Sequence, residues 1–363
     1  MKILMISVRA DPGGGPEHLF QLSKGLGPEY HLHVACPDEE PYADRYRNLP
    51  NVERLVPIPH RALKPSALLK LFHYIKRNDI ELIHSHGKGA GLYGRLLSMM
   101  SGCPSVHTFH GLHIDSYGKI QKCAYKALER FLATRTAKLI SVSSGEAALL
   151  KEFLKEYSPK LSVVPNGVEV PKDLIIDYDR KPLEVIAVSR YDFQKNPEAM
   201  LEIAKELKRL RANIRITCIG TGPGRAHIES KLRKEGLEDS LILKGVSDMP
   251  RKVMRRSHVI LSTSRWEGMP LALLEGMSEG LAVVASDVVG NRDVVIHEQD
   301  GYLYPIEDLS AAVHFLREIE NDRSILKQFS KSAKQRVITN FSLYSMIEKT
   351  QKIYGSAMSE WHK

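Results

Sequence analysis

The strongest constraint on this chain is a repeated alternation between short apolar segments and amphipathic segments. In the first half, the segments with the length and composition of strands are residues 2–8, 31–36, 81–86, 104–110, 138–143 and 161–166. In the second half, they are residues 184–190, 214–220, 241–245, 258–264 and 281–287. Helical spacing of apolar residues separates most of them. Because strands that alternate with helices form parallel sheets covered on both faces, the pattern predicts an α/β protein with two doubly wound domains.

The boundary between the two domains is predicted near residues 165–182. This segment contains three prolines and several charges and has no helical period. The predicted domains are therefore residues 1–170 and residues 171–342, and the last segment, 343–363, is predicted to be a terminal helix. At 363 residues, the chain is long enough for two domains that each bury a core.

Composition narrows the class of partner. The net charge is +9, and residues 1–170 hold 22 Lys and Arg against 16 Asp and Glu. A basic excess favours an anionic partner such as a nucleotide, a phosphate, a nucleic acid or an acidic membrane surface, with general solubility as the alternative. The four cysteines are scattered and the N-terminus resembles a first strand more than a secretory signal, so we expect a cytoplasmic protein. Peripheral contact with the inner face of the cytoplasmic membrane stays open.

The segment RWEGMPLALLEG places Glu267 and Glu275 eight positions apart, at a turn from a strand into a helix. Pro270 suits the first position of that helix. The backbone N–H groups of Gly268 and Met269 at a helix N-terminus favour an anion. Carboxylates on either side of a phosphate accept hydrogen bonds from hydroxyls, which is the layout of a nucleotide sugar. Two solvated surface glutamates are the alternative.

The segment SRYDFQKNPEAM is a second candidate for the same ligand. Arg190 ends a predicted strand, Lys195 lies in the loop that follows, Asn196 is a favourable N-cap and Pro197 fits the first position of a helix. Two cations at the carboxyl end of a strand can neutralise a diphosphate without a metal ion. An ordinary polar loop is the alternative.

Two glycine-rich turns follow predicted strands. Gly13, Gly14 and Gly15 would let a ligand approach the backbone closely at the start of a helix. In CIGTGPGR, Arg225 stands where the third glycine of G-x-G-x-x-G is required, which favours a tight turn over a dinucleotide site.

Histidines stand at the predicted carboxyl edge of the first sheet, where open α/β sheets bind ligands. His86 and His110 each end a predicted strand. A metal site formed by His107, His110 and His113 is disfavoured, because strand geometry places His107 and His110 on opposite faces. We therefore predict no metal site, and a single catalytic histidine, His110, with a buried core histidine as the alternative.

Two basic amphipathic segments, residues 64–77 and 119–135, lie in the first half. In the second of them, one face carries Lys119, Lys122, Lys126 and Arg130, and another carries Ile120, Ala124, Leu128 and Phe131. Helices of this kind can contact anionic lipid. The alternative is a pair of ordinary helices packed on the sheet with a solvated basic side.

Taken together, these motifs resemble glycosyltransferase family 4, whose members have the GT-B fold. The resemblance covers nearly the whole chain. It rests on an ordered set of motifs: the glycine pair with Glu17, F-H-G at 109–111, V-P-N-G-V at 164–168, S-R…K-N at 189–196, and the E-x7-E signature at 267–275.

The resemblance implies two Rossmann-like domains that face each other across a cleft, with the acceptor bound by the first domain and the donor by the second, and a last helix that packs back onto the first. It assigns nucleotide-sugar contacts to Gly14, Gly15, Arg190, Lys195, Gly268, Met269, Pro270, Leu271 and Glu275. Arg190 and Lys195 would bind the donor diphosphate and Glu275 the ribose hydroxyls. Catalysis falls to Glu267, which would hold the donor sugar, and to His110, which would lie beside its anomeric carbon.

By the same resemblance, transfer retains the anomeric configuration and needs no metal ion or other cofactor. A UDP-sugar donor and a saccharide or lipid-linked acceptor of bacterial surface polysaccharide or glycolipid synthesis are expected. Two other protein classes fit the sequence less well. An NAD-dependent oxidoreductase needs an intact G-x-G-x-x-G, which neither glycine loop provides. A basic nucleic-acid-binding protein lacks a recognised motif, so we expect no nucleic acid partner.

Overall fold

The structure is a computed structural model that describes residues 1–112, 117–173, 176–247 and 249–361. The chain divides into two compact units, Met1–Gly167 with Leu343–Lys363, and Val168–Ser342. We call them the first and the second unit.

The first unit contains a parallel sheet of seven strands in the order β3-β2-β1-β4-β5-β6-β7. Its strands are β1 (Lys2–Ile6), β2 (His31–Cys36), β3 (Val52–Pro57), β4 (Leu82–His86), β5 (Ser105–Phe109), β6 (Lys138–Ser141) and β7 (Leu161–Val163). Its helices are α1 (Gly14–Gly25), α2 (Tyr42–Arg47), α3 (Pro65–Arg77), α4 (Lys88–Ser101), α5 (Lys119–Thr134), α6 (Ser144–Leu154) and the terminal α14 (Leu343–Glu360).

The second unit contains a parallel sheet of six strands in the order β10-β9-β8-β11-β12-β13. Its strands are β8 (Leu183–Val188), β9 (Ile214–Ile219), β10 (Leu241–Lys244), β11 (Val259–Ser262), β12 (Ala282–Ser286) and β13 (Gly301–Tyr304). Its helices are α7 (Pro197–Arg209), α8 (Arg225–Lys234), α9 (Pro250–Met254), α10 (Leu271–Ser278), α11 (Val289–Val294), α12 (Leu309–Asn321) and α13 (Arg323–Asn340).

The central strands of each sheet are buried on both faces, which explains their continuous apolar composition. All four residues from Ile3 to Ile6 are fully buried in β1, between β2 and β4. Helix α14 packs against α1, and the Tyr354 hydroxyl lies 2.7 Å from Nδ1 of His84 in β4. The prediction of two doubly wound α/β domains is confirmed.

The structure differs from the sequence prediction mainly at strand ends and in two omissions. The predicted segments 2–8 and 161–166 are shorter as strands, because pairing stops where the chain turns at the edge of the sheet. Strand β3 was missed because its sequence, VERLVP, carries two charged side chains. Strand β13 was also missed, because its four residues begin with Gly301, and glycine is depleted in strands. Within the described residues, we find no helix with the length and apolar composition that a membrane crossing requires.

Candidate active site

Two neighbouring strands of the second unit bring the strongest sequence motifs together. Strands β8 and β11 pair in parallel, so the loops that follow them leave the same edge of the sheet. Lys195 lies in the first loop and Glu267 in the second, and Lys195 Nζ is 2.5 Å from Glu267 Oε1. The two side chains are 17% and 8% exposed. The structure therefore joins the S-R…K-N motif and the E-x7-E motif through one largely buried ion pair.

Arg190 lies in the same loop as Lys195 and is held by hydrogen bonds. Its Nε donates to Asp192 Oδ2 at 2.7 Å, and its Nη2 donates to Gln194 Oε1 at 3.1 Å. Gln194 in turn donates to the backbone oxygen of Trp266 at 3.1 Å. Asp192 also accepts from the backbone N–H of Lys195 at 3.0 Å. The Arg190 side chain is still 34% exposed, so its guanidinium is both positioned and accessible.

The E-x7-E segment enters its helix one residue later than predicted. Pro270 is the N-cap of α10, because its ψ of 102° is extended, and Leu271 is the first helical residue. Met269 and Leu271 are buried. Gly268 and Glu275 are half-buried, with Glu275 in the second turn of α10.

The Asn196 side chain does not cap α7, although the sequence predicted that it would. The residue occupies the N-cap of α7, but its φ of 52° is left-handed and its side chain makes no capping bond. Its Oδ1 instead accepts from Arg265 Nη2 at 2.8 Å. Pro197 begins α7, as expected. Asn196 therefore links the loop after β8 to the loop after β11.

A small cavity in the second unit opens between these loops. Its polar lining includes Ser189, Lys195, Thr263, Ser264 and Glu267. Thr263 donates to the backbone oxygens of Lys195 and Asn196 at 2.9 and 3.1 Å.

Gly290, in α11, is a site residue that the sequence did not reveal. A Cβ at this position would lie 2.7 Å from the backbone carbon and oxygen of Glu267. No real Cβ contact is that short, so only glycine lets α11 approach the E-x7-E loop so closely. The local sequence gives no signal of this, because the requirement comes from a contact with a segment 23 positions away.

The glycine-rich turn CIGTGPGR supports the loop that carries Arg190. Gly224 N–H donates to Tyr191 O at 2.8 Å, and Tyr191 N–H donates to Thr221 O at 3.1 Å. A Cβ on Gly222, whose φ is +157°, would lie 2.7 Å from Tyr191 N. The turn therefore packs tightly against the backbone on either side of Tyr191.

In the first unit, Gly14 and Gly15 open α1 directly after the N-cap Gly13, and the Cβ position of Gly15 faces open space. Glu17 does not point into that space. It accepts hydrogen bonds from Tyr42 Oη at 2.5 Å and from Arg45 Nη1 at 2.7 Å. Burial would raise the pKa of Glu17, but Arg45 and the Tyr42 hydroxyl outweigh burial and lower it.

His110 follows β5 and lies in a group of three histidines with His18 of α1 and His86 of β4. His86 Nδ1 is 3.4 Å from His110 Nε2, and the His18 and His110 ring centroids are 4.7 Å apart. Burial, followed by the charge of the neighbouring imidazoles, holds the pKa of His86 and of His110 well below the ordinary value of 6.5. Burial lowers the pKa of His18 to about 4.

The three histidines that the sequence raised as metal ligands do not form this group. His107 is fully buried and contacts Ser85 Oγ at 3.0 Å, and His113 lies outside the described residues. Sequence spacing missed His18, because α1 brings it to His110 from far along the chain. The proximity of His86 to His110 could have been inferred only from the strand order, which places β4 beside β5.

Known families cover nearly the whole chain. The family model described as "Glycosyltransferase Family 4" matches residues 12–171, and the model described as "Glycosyl transferases group 1" matches residues 175–336. The chain belongs to glycosyltransferase family 4, and it is a glycosyltransferase with the GT-B fold. The resemblance that its motifs indicated is confirmed.

Individual relatives are similar at low identity. The UDP-Gal:alpha-D-GlcNAc-diphosphoundecaprenol alpha-1,3-galactosyltransferase of Escherichia coli is 28% identical over 304 residues, which cover 79% of this chain and 78% of the relative. The phosphatidylinositol N-acetylglucosaminyltransferase gpi3 subunit of Schizosaccharomyces pombe is 25% identical over 373 residues, which cover 96% of this chain and 79% of the relative.

Solved structures agree on the fold. Anabaena Alr3699/HepE in complex with UDP and glucose superposes with a TM-score of 0.83 at 14% identity and covers 98% of this chain and 100% of its own. Sucrose-phosphate synthase from Thermosynechococcus elongatus also gives a TM-score of 0.83, at 20% identity, with 99% of each chain covered. At these identities, the likeness concerns the fold alone.

Proposed function

We propose that this glycosyltransferase moves a sugar from a UDP-sugar to a saccharide or lipid-linked acceptor in bacterial surface polysaccharide or glycolipid synthesis. The observation that carries the proposal is the Lys195–Glu267 pair with Arg190 in the same loop, at one edge of the second sheet. The name of the Escherichia coli relative, which gives a UDP-galactose donor and a diphosphoundecaprenol-linked acceptor, supports this donor and acceptor class.

Without the donor, Lys195 and Glu267 neutralise each other. Neither side chain is then buried as an unpaired charge, which would cost free energy. A donor diphosphate brings a second anion to Lys195, and the freed Glu267 carboxylate then accepts hydrogen bonds from the hydroxyls of the donor sugar. When the donor binds, Lys195 and Glu267 exchange each other for the diphosphate and the sugar hydroxyls. The site therefore binds a charged ligand with little net loss of hydration.

Catalysis in this proposal is mainly electrostatic. As the bond between the anomeric carbon and the phosphate oxygen breaks, the negative charge grows on the diphosphate, where Arg190 and Lys195 stabilise it. The leaving phosphate oxygen takes the proton of the acceptor hydroxyl, which attacks from the same face. The anomeric configuration is therefore retained. The two cations fill the role of a metal ion, so transfer proceeds with a chelator present.

The remaining site residues keep the roles that the family resemblance implies. Glu275 accepts from the ribose hydroxyls, and the segment from Gly268 to Leu271 supplies backbone contacts to sugar and phosphate. In the first unit, Gly14 and Gly15 act on the diphosphate. His110 acts beside the anomeric carbon as a neutral hydrogen-bonding group, because its lowered pKa keeps it uncharged near pH 7.

The experiment is a transfer assay with radiolabelled UDP-sugars, matched GDP-sugars and a bacterial lipid extract as acceptor, in EDTA. We expect label to pass from one UDP-sugar into lipid. NMR of the product should show that the transferred sugar keeps the anomeric configuration that it has in the donor. Lys195→Met should abolish transfer, whereas Lys205→Met, at a solvent-exposed ion pair of the same unit, should not. Transfer only from GDP-sugars, a requirement for added metal, or an inverted product would each contradict the corresponding part of the proposal.

We also propose that α5 rests on an anionic membrane surface. Three of its large apolar side chains face outward, since Ile120 is 85%, Phe131 57% and Leu128 40% exposed. The helix instead buries a different side, which includes Tyr125 and Leu132. The exposed row Ile120, Leu128 and Phe131, which we call the α5 stripe, therefore has no partner in the described chain that would explain its apolar character.

Positive charge on α5 favours anionic lipid as the partner of the α5 stripe. Lys119 lies next to Ile120 in the exposed first turn, whereas Lys122 is half-buried on another side of the helix, Lys126 lies over the Phe153 ring and Arg130 pairs with Glu156. Apolar residues inserted at the headgroup boundary and lysines above it are the layout of an interfacial helix.

Helix α3 adds to this surface. It packs against α4, which Arg95 joins to α5 through a fully buried pair with Glu129 at 2.6 Å. On α3 and just before it, Leu69 is 52% and Leu63 is 44% exposed. Both basic amphipathic segments therefore flank α4 in the first unit.

Cys123 provides the test, because it is exposed on α5 while Cys36, Cys103 and Cys218 are buried. We expect an environment-sensitive fluorophore on Cys123 to shift to the blue with phosphatidylglycerol vesicles and not with phosphatidylcholine vesicles. Ile120→Asn with Phe131→Asn should remove the shift, whereas Ile338→Asn, an exposed apolar residue of the second unit, should retain it. An unshifted wild type, or a shift that survives in the double variant, would contradict the proposal.

A further inference from the structure

The histidine group in the first unit has the spacing of metal ligands. His18, His86 and His110 each offer one ring nitrogen, and the three nitrogens lie within 4.8 Å of one another. The His86 Nδ1 to His110 Nε2 distance is 3.4 Å. A tetrahedral Zn²⁺ site with Zn–N bonds of about 2.0–2.1 Å also separates its ligand atoms by about 3.4 Å. Only small side-chain shifts are then needed to close the group around an ion.

His18 is oriented as metal-bound histidines usually are. Its Nδ1 lies 2.8 Å from Asn166 Oδ1, and both side chains are 3% exposed. Because an amide oxygen only accepts, Nδ1 carries the hydrogen and Nε2 keeps its lone pair. A carbonyl oxygen that fixes the second ring nitrogen is the common outer partner of a histidine ligand.

His86 is poorly satisfied by protein alone. The residue is 5% exposed, and within the described residues its Nε2 has no hydrogen-bond partner. The neighbouring His84 provides the contrast, since its two ring nitrogens contact Tyr354 Oη at 2.7 Å and Thr108 Oγ1 at 2.8 Å. The other ring nitrogen, Nδ1, has only the long 3.4 Å contact with His110 Nε2, and an ion between these two nitrogens would replace that contact. His84 is occupied on both sides and is not a ligand.

We infer that His18, His86 and His110 form a binding site for an imidazole-preferring transition metal ion such as Zn²⁺, Co²⁺ or Ni²⁺, and that occupation of the site inhibits transfer. An all-nitrogen ligand set selects these ions over Mg²⁺, Ca²⁺ and Mn²⁺, which prefer oxygen. Inhibition rests on the proposed function, because the ion would hold the His110 imidazole that is proposed to act at the anomeric carbon. The binding site itself does not depend on that role.

The test is calorimetric titration of the whole chain with Zn²⁺ and, in parallel, with Mg²⁺. We expect one tight Zn²⁺ site and no Mg²⁺ site. His18→Gln and His86→Gln should each weaken that site at least tenfold. His227→Gln, at an exposed histidine of α8, should leave it unchanged and controls for weak binding by the other histidines of the 15. Absorption bands of tetrahedral Co²⁺ in wild type, and their loss in His86→Gln, give an independent readout.

Two outcomes separate the metal site from the proposed inhibition. Zn²⁺ binding that is equally weak in wild type and in both cluster variants would overturn the site. Circular dichroism and urea denaturation of each variant report whether the first unit is folded, and UDP titration reports on the second unit, where the proposed UDP contacts mainly lie. Tight Zn²⁺ binding at the cluster without loss of transfer would support the site and overturn the inhibition, and with it the proposed role of His110.

Discussion

At the scale of single residues, the candidate site consists of charges that neutralise each other. Glu267 is 8% exposed, so its carboxylate depends on Lys195 to be tolerated where it lies. Asp192 has a comparable relation to Arg190, which is more exposed. Loss of one partner should therefore affect both stability and binding.

Lys195→Met tests this coupling. The variant should bind UDP at least tenfold more weakly and lose roughly 1–3 kcal/mol of unfolding free energy, because it leaves a buried carboxylate without its partner. Adding Glu267→Gln should restore most of the stability but not the UDP affinity. Urea denaturation and calorimetry on the two single variants and the double variant measure both effects. Additive stability losses would show that the 2.5 Å pair contributes nothing.

Glu275→Ala tests the proposed contact with ribose. We expect UDP affinity to fall by roughly 1–3 kcal/mol, the cost of a lost buried hydrogen bond, while the affinity for inorganic pyrophosphate is unchanged. Glu202→Ala, at an exposed position of α7, is the matched control. An unchanged UDP affinity in Glu275→Ala would assign Glu275 a structural role in α10 instead.

Sequence reasoning at this scale identified the charged residues but not their pairing. It placed Lys195 and Glu267 in two separate motifs, each beside the ligand. That they bind each other follows from the adjacency of β8 and β11, which local spacing does not encode. The same limit explains why His18 and Gly290 were missed.

At the scale of elements, close approach of α11 to the loop after β11 positions Glu267. The structure has no room for a side chain at Gly290, where an added Cβ would overlap the Glu267 backbone. The start of α10 at Leu271 and the buried Met269 hold the other side of the loop. The loop is thus fixed by its neighbours more than by its own sequence.

Gly290→Ala should therefore damage the donor site without unfolding the chain. We expect α11 or the Glu267 loop to shift by some tenths of an ångström, and UDP affinity to fall at least tenfold. Gly355→Ala is the matched control, because an added Cβ in that position of α14 meets nothing within 4 Å. Calorimetry with UDP and circular dichroism on both variants make the comparison. Equal UDP affinity in the two variants would refute the positional role of Gly290.

Elements with a regular apolar pattern were predictable, and the others were not. Strand β2 matches its predicted bounds, because Pro28 and Pro37 flank HLHVAC and proline interrupts a strand. Strand β3 escaped because charged side chains interrupt its pattern. Pro270 was placed inside α10, although its backbone is extended, because proline tolerates both the N-cap and the first helical position.

At the scale of the whole molecule, buried histidines couple the first unit to pH. The pKa of His18 is lowered from 6.5 to about 4 by burial, and the pKa values of His84, His86, His107 and His110 are lowered in the same direction. Below about pH 6.5, these histidines bind protons in the unfolded chain but stay neutral in the native chain. Stability is therefore full above that pH and falls as the pH decreases toward 4.

His18→Gln isolates one part of this effect. As the pH falls from 6.5 to 4, His18 alone should lower the free energy of unfolding by roughly 3 kcal/mol, because a pKa difference of one corresponds to about 1.4 kcal/mol. Gln can still donate to Asn166, so the variant should fold and show a smaller loss over this pH range. Urea denaturation from pH 7 to 4.5 in EDTA measures the difference. An identical pH slope in the two proteins would contradict a buried neutral His18.

The fold class and the family were accessible from the sequence, because strand-helix alternation and the ordered motifs of the family both extend along most of the chain. The composition of the histidine group was not, since α1, β4 and the residue after β5 contribute one histidine each. Exposure of the α5 stripe was equally out of reach, because an amphipathic pattern does not say which face packs inward.

The central claim is that Arg190 and Lys195 bind the diphosphate of a UDP-sugar without a metal ion. The most direct measurement is calorimetric titration with UDP, GDP, ADP and NAD in EDTA, on wild type and on Arg190→Ala. We predict that UDP binds most tightly in wild type and at least tenfold more weakly in the variant. Preference for NAD, or UDP binding that is unchanged in Arg190→Ala, would contradict the account.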